Sequence, residues 1–219
     1  MSSEPGRLPD TVGEALARRV EVRRGPASPW AEQLRELGAV DRAVYEAVAR
    51  TPTGALDGPV RRLSGAADKS RLWLAIAAVI AVAGGRRGRQ AALEGVVAIA
   101  VTSATVNLGV KPIARRGRPD RAHPALFEGR HVPMPRSASF PSGHSASAFA
   151  FAYAVGRHLP VLAVPIRLLA VAVAYSRVHT GVHYPGDVVI GSVTGAGTAA
   201  MVAAVADRAT RARASGRAG

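Results

Sequence analysis

The stretch AALEGVVAIAVTSATVNLGVKPIARRGRPD, residues 91–120, decides the fold. Its first part, residues 91–110, is apolar or small almost throughout and long enough to cross a hydrocarbon core of about 30 Å as a helix. The one charge in it, Glu94, lies close enough to an end to reach the interface. The run stops at a loop carrying Lys111, Arg115, Arg116 and Arg118. A span that ends in cations reads as a membrane helix delivered to a lipid head-group surface.

Working outward, apolar runs recur at residues 72–85, 145–155, 161–175 and 188–206, with Gly, Pro and Arg at their ends. All are rich in Ala, Gly and Ser, which let membrane helices approach closely. The run at 72–85 is short for a bilayer and must tilt, thin the membrane or borrow flanking residues. Arg167 falls inside the fourth run, but Pro165 marks a helix that is only beginning, so its side chain can snorkel to the interface. The expected fold is an all-α, multi-pass transmembrane bundle of about five to six spans with its active site at one membrane face.

Outside these runs, residues 1–29 mix Pro, Gly, Ser, Glu and Arg without periodicity and read as a disordered tail. No apolar core follows the first basic residues, so no signal peptide is expected. Residues 30–70 read as amphipathic interfacial helices: Leu34, Leu37, Val44 and Val48 recur at helical spacing, and a weaker piece covers 56–63. The membrane domain is expected over 71–206 and a basic tail over 207–219.

The formal charge of +14 invites a nucleic-acid reading. Its distribution argues against one. Residues 1–71 hold twelve basic and ten acidic side chains, so the excess lies among the apolar runs. Cations between membrane-length segments fit loops at an anionic lipid surface and a pocket for anionic substrate. With no cysteine, the chemistry falls to His, Asp, Ser, Lys and Arg.

Alternation of the spans gathers three polar clusters on one face. The first is the basic loop from Lys111, which alone is no more than a topology signal. The second, SFPSGHSASA at residues 139–148, places Ser142, Gly143 and His144 at a helix start, where free backbone donors and the positive helix end suit an anion. The serines alone are better explained as N-caps, but a histidine at the same point is harder to explain that way. In the third, SRVHTGVHYPGD at residues 176–187, Pro185 fits the first turn of a new helix. This brings Asp187 near His183, to accept the proton of one ring nitrogen and free the other for attack. Two histidines, a carboxylate and several cations on one face supply what phosphoryl transfer needs, with no metal or other cofactor called for.

These residues resemble the type 2 phosphatidic acid phosphatase superfamily, which includes bacterial lipid phosphatases and vanadium haloperoxidases. Its signature runs Lys, six residues, Arg-Pro; then Pro-Ser-Gly-His; then Ser-Arg, five residues, His, three residues, Asp. Here Lys111, Arg118 and Pro119, then Pro141 to His144, then Ser176, Arg177, His183 and Asp187 match at every position. The resemblance implies that His183 is a nucleophile forming a phosphohistidine, oriented by Asp187. His144 would protonate the leaving group and then activate water. Lys111, Arg118 and Arg177, with Ser142 and the Gly143 amide, would hold the phosphoryl oxygens.

His179 is the main decoy, excluded by the family spacing from Arg177. His123, His131 and His158 read as loop or interfacial residues, with His158 on the opposite face. Ser137, Ser139, Arg115, Arg116 and Arg121 fit either an entrance or a solvated basic loop. The function expected is hydrolysis of a membrane lipid phosphate or diphosphate: phosphatidate, phosphatidylglycerol phosphate or a polyprenyl phosphate compound. A vanadate-dependent peroxidase and a non-catalytic lipid-phosphate binder are the alternatives. The partners expected are that substrate and membrane lipids, with no nucleic acid, at the cell membrane. Five spans put the N-terminus and the active face on one side and a sixth, within residues 30–70, reverses this; basic residues on both faces give the positive-inside count no direction.

Overall fold

The computed structural model describes residues 29–121 and 128–216. The tail expected over 1–29 therefore lies outside the described residues but for its last position, as does His123. The chain divides into two compact units, Met1–Val40 and Asp41–Gly219. Of the first, the description covers the opening turns of one helix; the second holds the bundle and the site.

Among the described residues the secondary structure is helical. Helix α1 is Pro29–Arg50 and α2 is Gly54–Ala66, in the region read as amphipathic. A tight 3-10 turn, Asp68–Ser70, leads into α3, Arg71–Ala83. Then follow α4, Gly85–Ala104, α5, Gly143–His158, α6, Pro160–His179, and α7, Pro185–Ser215. Helix α4 continues through a widened turn, Thr105–Val110, and a last turn, Lys111–Ala114. This makes a 30-residue rod, Gly85–Ala114, that ends on Lys111 and its neighbours.

Three helices are long and apolar enough to cross a bilayer: Gly85–Ala114, Pro160–His179 and Pro185–Ser215. The runs expected at 72–85 and 145–155 fold as helices of 13 and 16 residues. At 1.5 Å per residue these are about 20 and 24 Å long, short of a full perpendicular crossing. Only Gly84 separates α3 from α4, and Arg86, Arg87 and Arg89 lie in the first turns of α4, Arg being a good helix former. The basic stretch after residue 207 likewise continues α7 as far as Ser215.

The bundle's interior is mostly small side chains around one aromatic pair, with many of the larger aliphatic ones outside. Helix α5 lies between α4, α6 and α7 and contributes Ala148, Phe151, Ala152 and Val155 to the core. Trp73 of α3 packs on Phe151 with ring centroids 5.4 Å apart. Val82, Leu93, Leu108, Val161, Leu168 and Met201 point outward. Water drives apolar residues inward, whereas lipid does not, so an apolar exterior over a small-residue interior is the arrangement a bilayer selects. Contrary to expectation, α6 begins at Pro160 and Pro165 lies inside it, because a proline also fits the first helical position at 160; Arg167 is exposed on its second turn, with its guanidinium near Gly156 at the end of α5.

The closest helix contact is between α5 and α7. Along α7, the buried residues Asp187, Gly191, Gly195, Ala199 and Ala203 recur every fourth position. A Cβ at Gly191 would lie 2.5 Å from the Ser142 carbonyl oxygen, and one at Gly195 would lie 2.0 Å from that of Ala146. Backbone meets backbone there.

Gly195→Ala is therefore expected to cost about 1–3 kcal/mol or more through overpacking. Gly197→Ala, where a Cβ meets nothing within 4 Å, should be neutral or slightly stabilising. Thermal unfolding of the detergent-solubilised variants, followed by tryptophan fluorescence, checks the pair.

Candidate active site

Three loops and four helix ends meet at one end of the bundle. The α6 to α7 turn is closed by its own backbone: the amides of Val182 and His183 both donate to the Arg177 carbonyl at 3.1 Å, and Gly181 takes a left-handed φ of +68°. Pro185 then opens α7 with its φ already helical. The Asp187 carboxylate, in the first turn, accepts the Tyr184 amide at 3.0 Å. The Ser142 amide donates to the Asp187 carbonyl at 2.9 Å, tying the start of α5 to the start of α7.

His183 and Asp187 are both buried, and His183 Nδ1 lies 3.4 Å from Asp187 Oδ2. The other ring nitrogen, Nε2, lies 3.3 Å from Arg118 Nη1. The ring therefore presents one nitrogen to a carboxylate and the other to a cation. Burial pulls the His183 pKa down to about 4, with Arg118 and Arg177 adding to the effect and Asp187 opposing it. At neutral pH the ring is uncharged and Nε2 has a free lone pair whenever Nδ1 carries the proton.

Asp187 is fully occupied. Its Oδ1 accepts Arg116 Nη1 at 2.8 Å, and its Oδ2 accepts the Ser139 hydroxyl in addition to the Tyr184 amide. Arg116 also holds Asp41 of α1 at 2.6 Å, and Asp41 accepts the Gly186 amide at 2.7 Å. Sequence reasoning left Arg116 and Ser139 as entrance or solvated loop and did not single out Asp41. Ser139 lies 48 residues from Asp187 in sequence, and Asp41 lies 75 from Arg116 and 145 from Gly186, so no local spacing marks them.

The cations converge as the motif spacing implies. Arg118 is anchored by carbonyl oxygens, donating to Val182 at 2.7 Å and to Ser137 at 3.0 Å. Lys111 donates to the Ser137 hydroxyl at 3.2 Å, which Arg118 also reaches at 3.4 Å, so Ser137 links the two. Burial holds the Arg118 pKa below its usual value. Arg177 is buried, donates to the Ser64 hydroxyl at 2.6 Å, and keeps its Nε without an acceptor. A desolvated guanidinium with a spare donor suits an anion.

His144 stands in the first turn of α5, and its Nε2 is 2.8 Å from Asp68 Oδ1. A cleft of about 170 Å³ opens beside it, lined by Lys69, Ser70, Ser103, Asn107, Lys111 and Ser147 among others. Ser142 serves as the N-cap: its hydroxyl accepts the Ser145 amide at 3.4 Å and the Ser145 hydroxyl at 3.0 Å. Gly143 lies beside Lys111 Nζ, and the amides of Gly143 and His144 open the helix with no intrahelical acceptor.

The remaining histidines have other occupations. His179 is buried, with Nε2 3.0 Å from Asp57 and Nδ1 3.3 Å from the Tyr175 hydroxyl. Asp57 also pairs with Arg130 at 2.8 Å. His158 pairs with Glu94 at 2.7 Å at the other end of α5. Arg121, the last of four arginines in the loop after Ala114, clamps the carbonyls of Thr180, Gly181 and Val132.

An apolar helical bundle with a basic, histidine-bearing pocket at one end defines a membrane enzyme acting on phosphorylated lipid. The chain belongs to the PAP2 superfamily, whose family model matches residues 91–211. It is 39% identical over 145 residues to decaprenylphosphoryl-5-phosphoribose phosphatase of Mycobacterium tuberculosis, covering 64% of this chain and 75% of that one. The protein of that name from Mycolicibacterium smegmatis is 38% identical over 157 residues, covering 70% and 79%. In fold it is similar to the transmembrane PAP2-type phosphatidylglycerolphosphate phosphatase of Bacillus subtilis, with a TM-score of 0.61 at 24% identity over 79% of this chain and 87% of the other. Aquifex aeolicus LpxE gives 0.61 at 20% identity over 73% and 92%. The protein is a lipid phosphate phosphatase of the membrane.

If His179 is structural, His179→Gln should keep phosphate release within a few-fold of the parent. It should still lower stability, by about 1–3 kcal/mol, because Asp57 loses a buried partner. Paired turnover and thermal unfolding measurements separate the two effects.

Proposed function

We propose that the chain hydrolyses a phosphomonoester of a polyprenyl-linked phosphosugar through a phosphohistidine on His183. The observation that carries the mechanism is the polarity of that ring, with Nδ1 on Asp187 and Nε2 against Arg118. The substrate class rests on the two mycobacterial relatives, whose names specify such a compound. Phosphatidylglycerol phosphate, in the name of the Bacillus subtilis neighbour, is the second reading; there the likeness is of fold alone.

Lys111, Arg118 and Arg177 neutralise the nonbridging oxygens, helped by the Gly143 amide at the α5 N-terminus. The Ser142 hydroxyl contributes by capping that helix and fixing its first amides. Nε2 of His183 attacks phosphorus, the P–O bond to the leaving alcohol breaks, and His144 supplies the proton that alcohol needs. Water then loses a proton to His144, attacks the phosphohistidine and releases inorganic phosphate. Asp187 keeps the His183 proton on Nδ1 and stabilises the positive charge formed there, as a carboxylate does beside any nucleophilic or basic imidazole.

In the bilayer we place five crossings in the cell membrane, α3 to α7, with α3 and α5 short and the site at the interface. Helices α1 and α2 then lie against the surface. Reporter fusions after Arg89 and at the C-terminus should report the same side, opposite the site.

Phosphate release by detergent-solubilised protein is expected to persist in EDTA and to vanish in His183→Ala. His144→Ala should lose about 10²–10⁴-fold. Rapid quenching in alkali should trap an acid-labile phosphoenzyme that His183→Ala cannot form; its absence from the parent removes the mechanism. The acid limb of kcat/KM should lie near pH 4, where the buried His183 takes its proton, and not near 6.5. Side-by-side assay of a polyprenyl-linked phosphosugar, phosphatidate and phosphatidylglycerol phosphate tests the substrate class, and preference for either glycerolipid refutes it.

A further inference from the structure

His144 has a carboxylate partner of its own. Asp68 Oδ1 lies 2.8 Å from His144 Nε2, and Asp68 comes from the turn between α2 and α3, outside the matched family region of 91–211. That carboxyl is held below its usual pKa by the His144 hydrogen bond first, and then by the charges of His144, Arg177 and Arg71.

The backbone that carries Asp68 is strained. Lys69 and Ser70 follow it with φ of 51° and 59°, in the left-handed region that residues with a Cβ rarely adopt. Two such residues in succession persist only where their surroundings over-determine them. What this turn achieves is the placement of Asp68 on His144 and of Lys69 and Ser70 on the rim of the adjoining cleft. Asp68 is also 3.8 Å from Arg177 Nη1, whose same nitrogen is held by Ser64 from the end of α2.

Resting on the His183 reading above, we propose that Asp68 is the positioning residue of His144, forming a second His–Asp dyad that serves the departing alcohol. Asp68 accepts the Nε2 proton of the imidazolium and fixes the ring, leaving Nδ1 as the nitrogen through which a proton passes. In the first step the Nδ1 proton moves to the leaving oxygen as its bond to phosphorus breaks and the His183 Nε2–P bond forms. In the second, water gives a proton back to Nδ1 as its oxygen attacks phosphorus, and the imidazolium is restored. Asp68 stays ionised throughout. Three cations face His144 from other positions: Lys69 on the turn itself, Lys111 at the end of the α4 rod, and Arg177 on α6. Each disfavours an imidazolium, and Asp68 is the carboxylate that offsets them.

The chemistry gives a readout that a purely structural residue would not move. An alkyl phosphate needs a proton on its leaving oxygen; 4-nitrophenyl phosphate, whose leaving group is a weak base, needs it far less. In Asp68→Asn both rates fall. The ratio of the alkyl rate to the nitrophenyl rate is expected to fall about tenfold or more, and the basic limb of the pH profile should move to lower pH. Asp68→Glu should recover much of the ratio. Equal losses on both substrates with an unmoved basic limb would show Asp68 to be structural, and a faster Asp68→Asn enzyme would show it to be a latch on His144. Either result overturns the proposal. Phosphoenzyme trapping on His183 in the parent reports separately on the underlying mechanism, so the two failures are distinguishable.

Discussion

The site depends on how closely α5 and α7 approach. Every fourth residue of α7 from Asp187 faces α5, and the two after it, Gly191 and Gly195, have no side chain to hold the helices apart. Larger residues would move Ser142 and His144 away from Asp187 and His183 by the width of a side chain. Phosphoryl transfer tolerates no such gap, since misplacement of about 1 Å can cost two orders of magnitude. The bond from the Ser142 amide to the Asp187 carbonyl is the visible end of this approach. In a bilayer, where lipid competes with any apolar surface on equal terms, close backbone packing of small residues is a principal means of holding helices together.

Around that seam the charges are sorted into satisfied and available groups. Asp187 has a cation, a hydroxyl and an amide committed to it, so it can hold His183 without wandering to another partner. Arg116 reaches it because Asp41 of α1 steadies the same guanidinium. Arg118 spends most of its donors on main-chain carbonyls, which fix its direction but leave its charge uncancelled. The result is a positive pocket rigid in geometry, which is what a developing phosphoryl transition state requires.

Much of this was legible in the sequence because the fold is governed by period and composition. The runs at 72–85, 91–110, 145–155, 161–175 and 188–206 all fall on helices, and Pro185 opens α7 as its fixed φ requires. The motif residues were legible because their spacings encode which helix end each occupies. What was not legible is the support. Asp68, Asp41, Ser64 and Ser139 act across long stretches of chain, and an isolated Asp or Ser in an amphipathic or loop segment carries no signal of the distant group it meets.

The far end of the bundle closes the same seam a second time. Arg157 of α5 holds both Glu94 of α4, at 3.3 Å, and Asp207 of α7, at 3.0 Å. The α5–α7 seam is thus stitched at both extremities and packed backbone to backbone between them. The cleft beside His144 lies on another side, between the end of the α4 rod and the start of α5, with Ser103, Asn107 and Ser147 in its walls. The strained turn at Lys69 and Ser70 forms one post of that cleft, so the same backbone that carries Asp68 also bounds the open space beside His144.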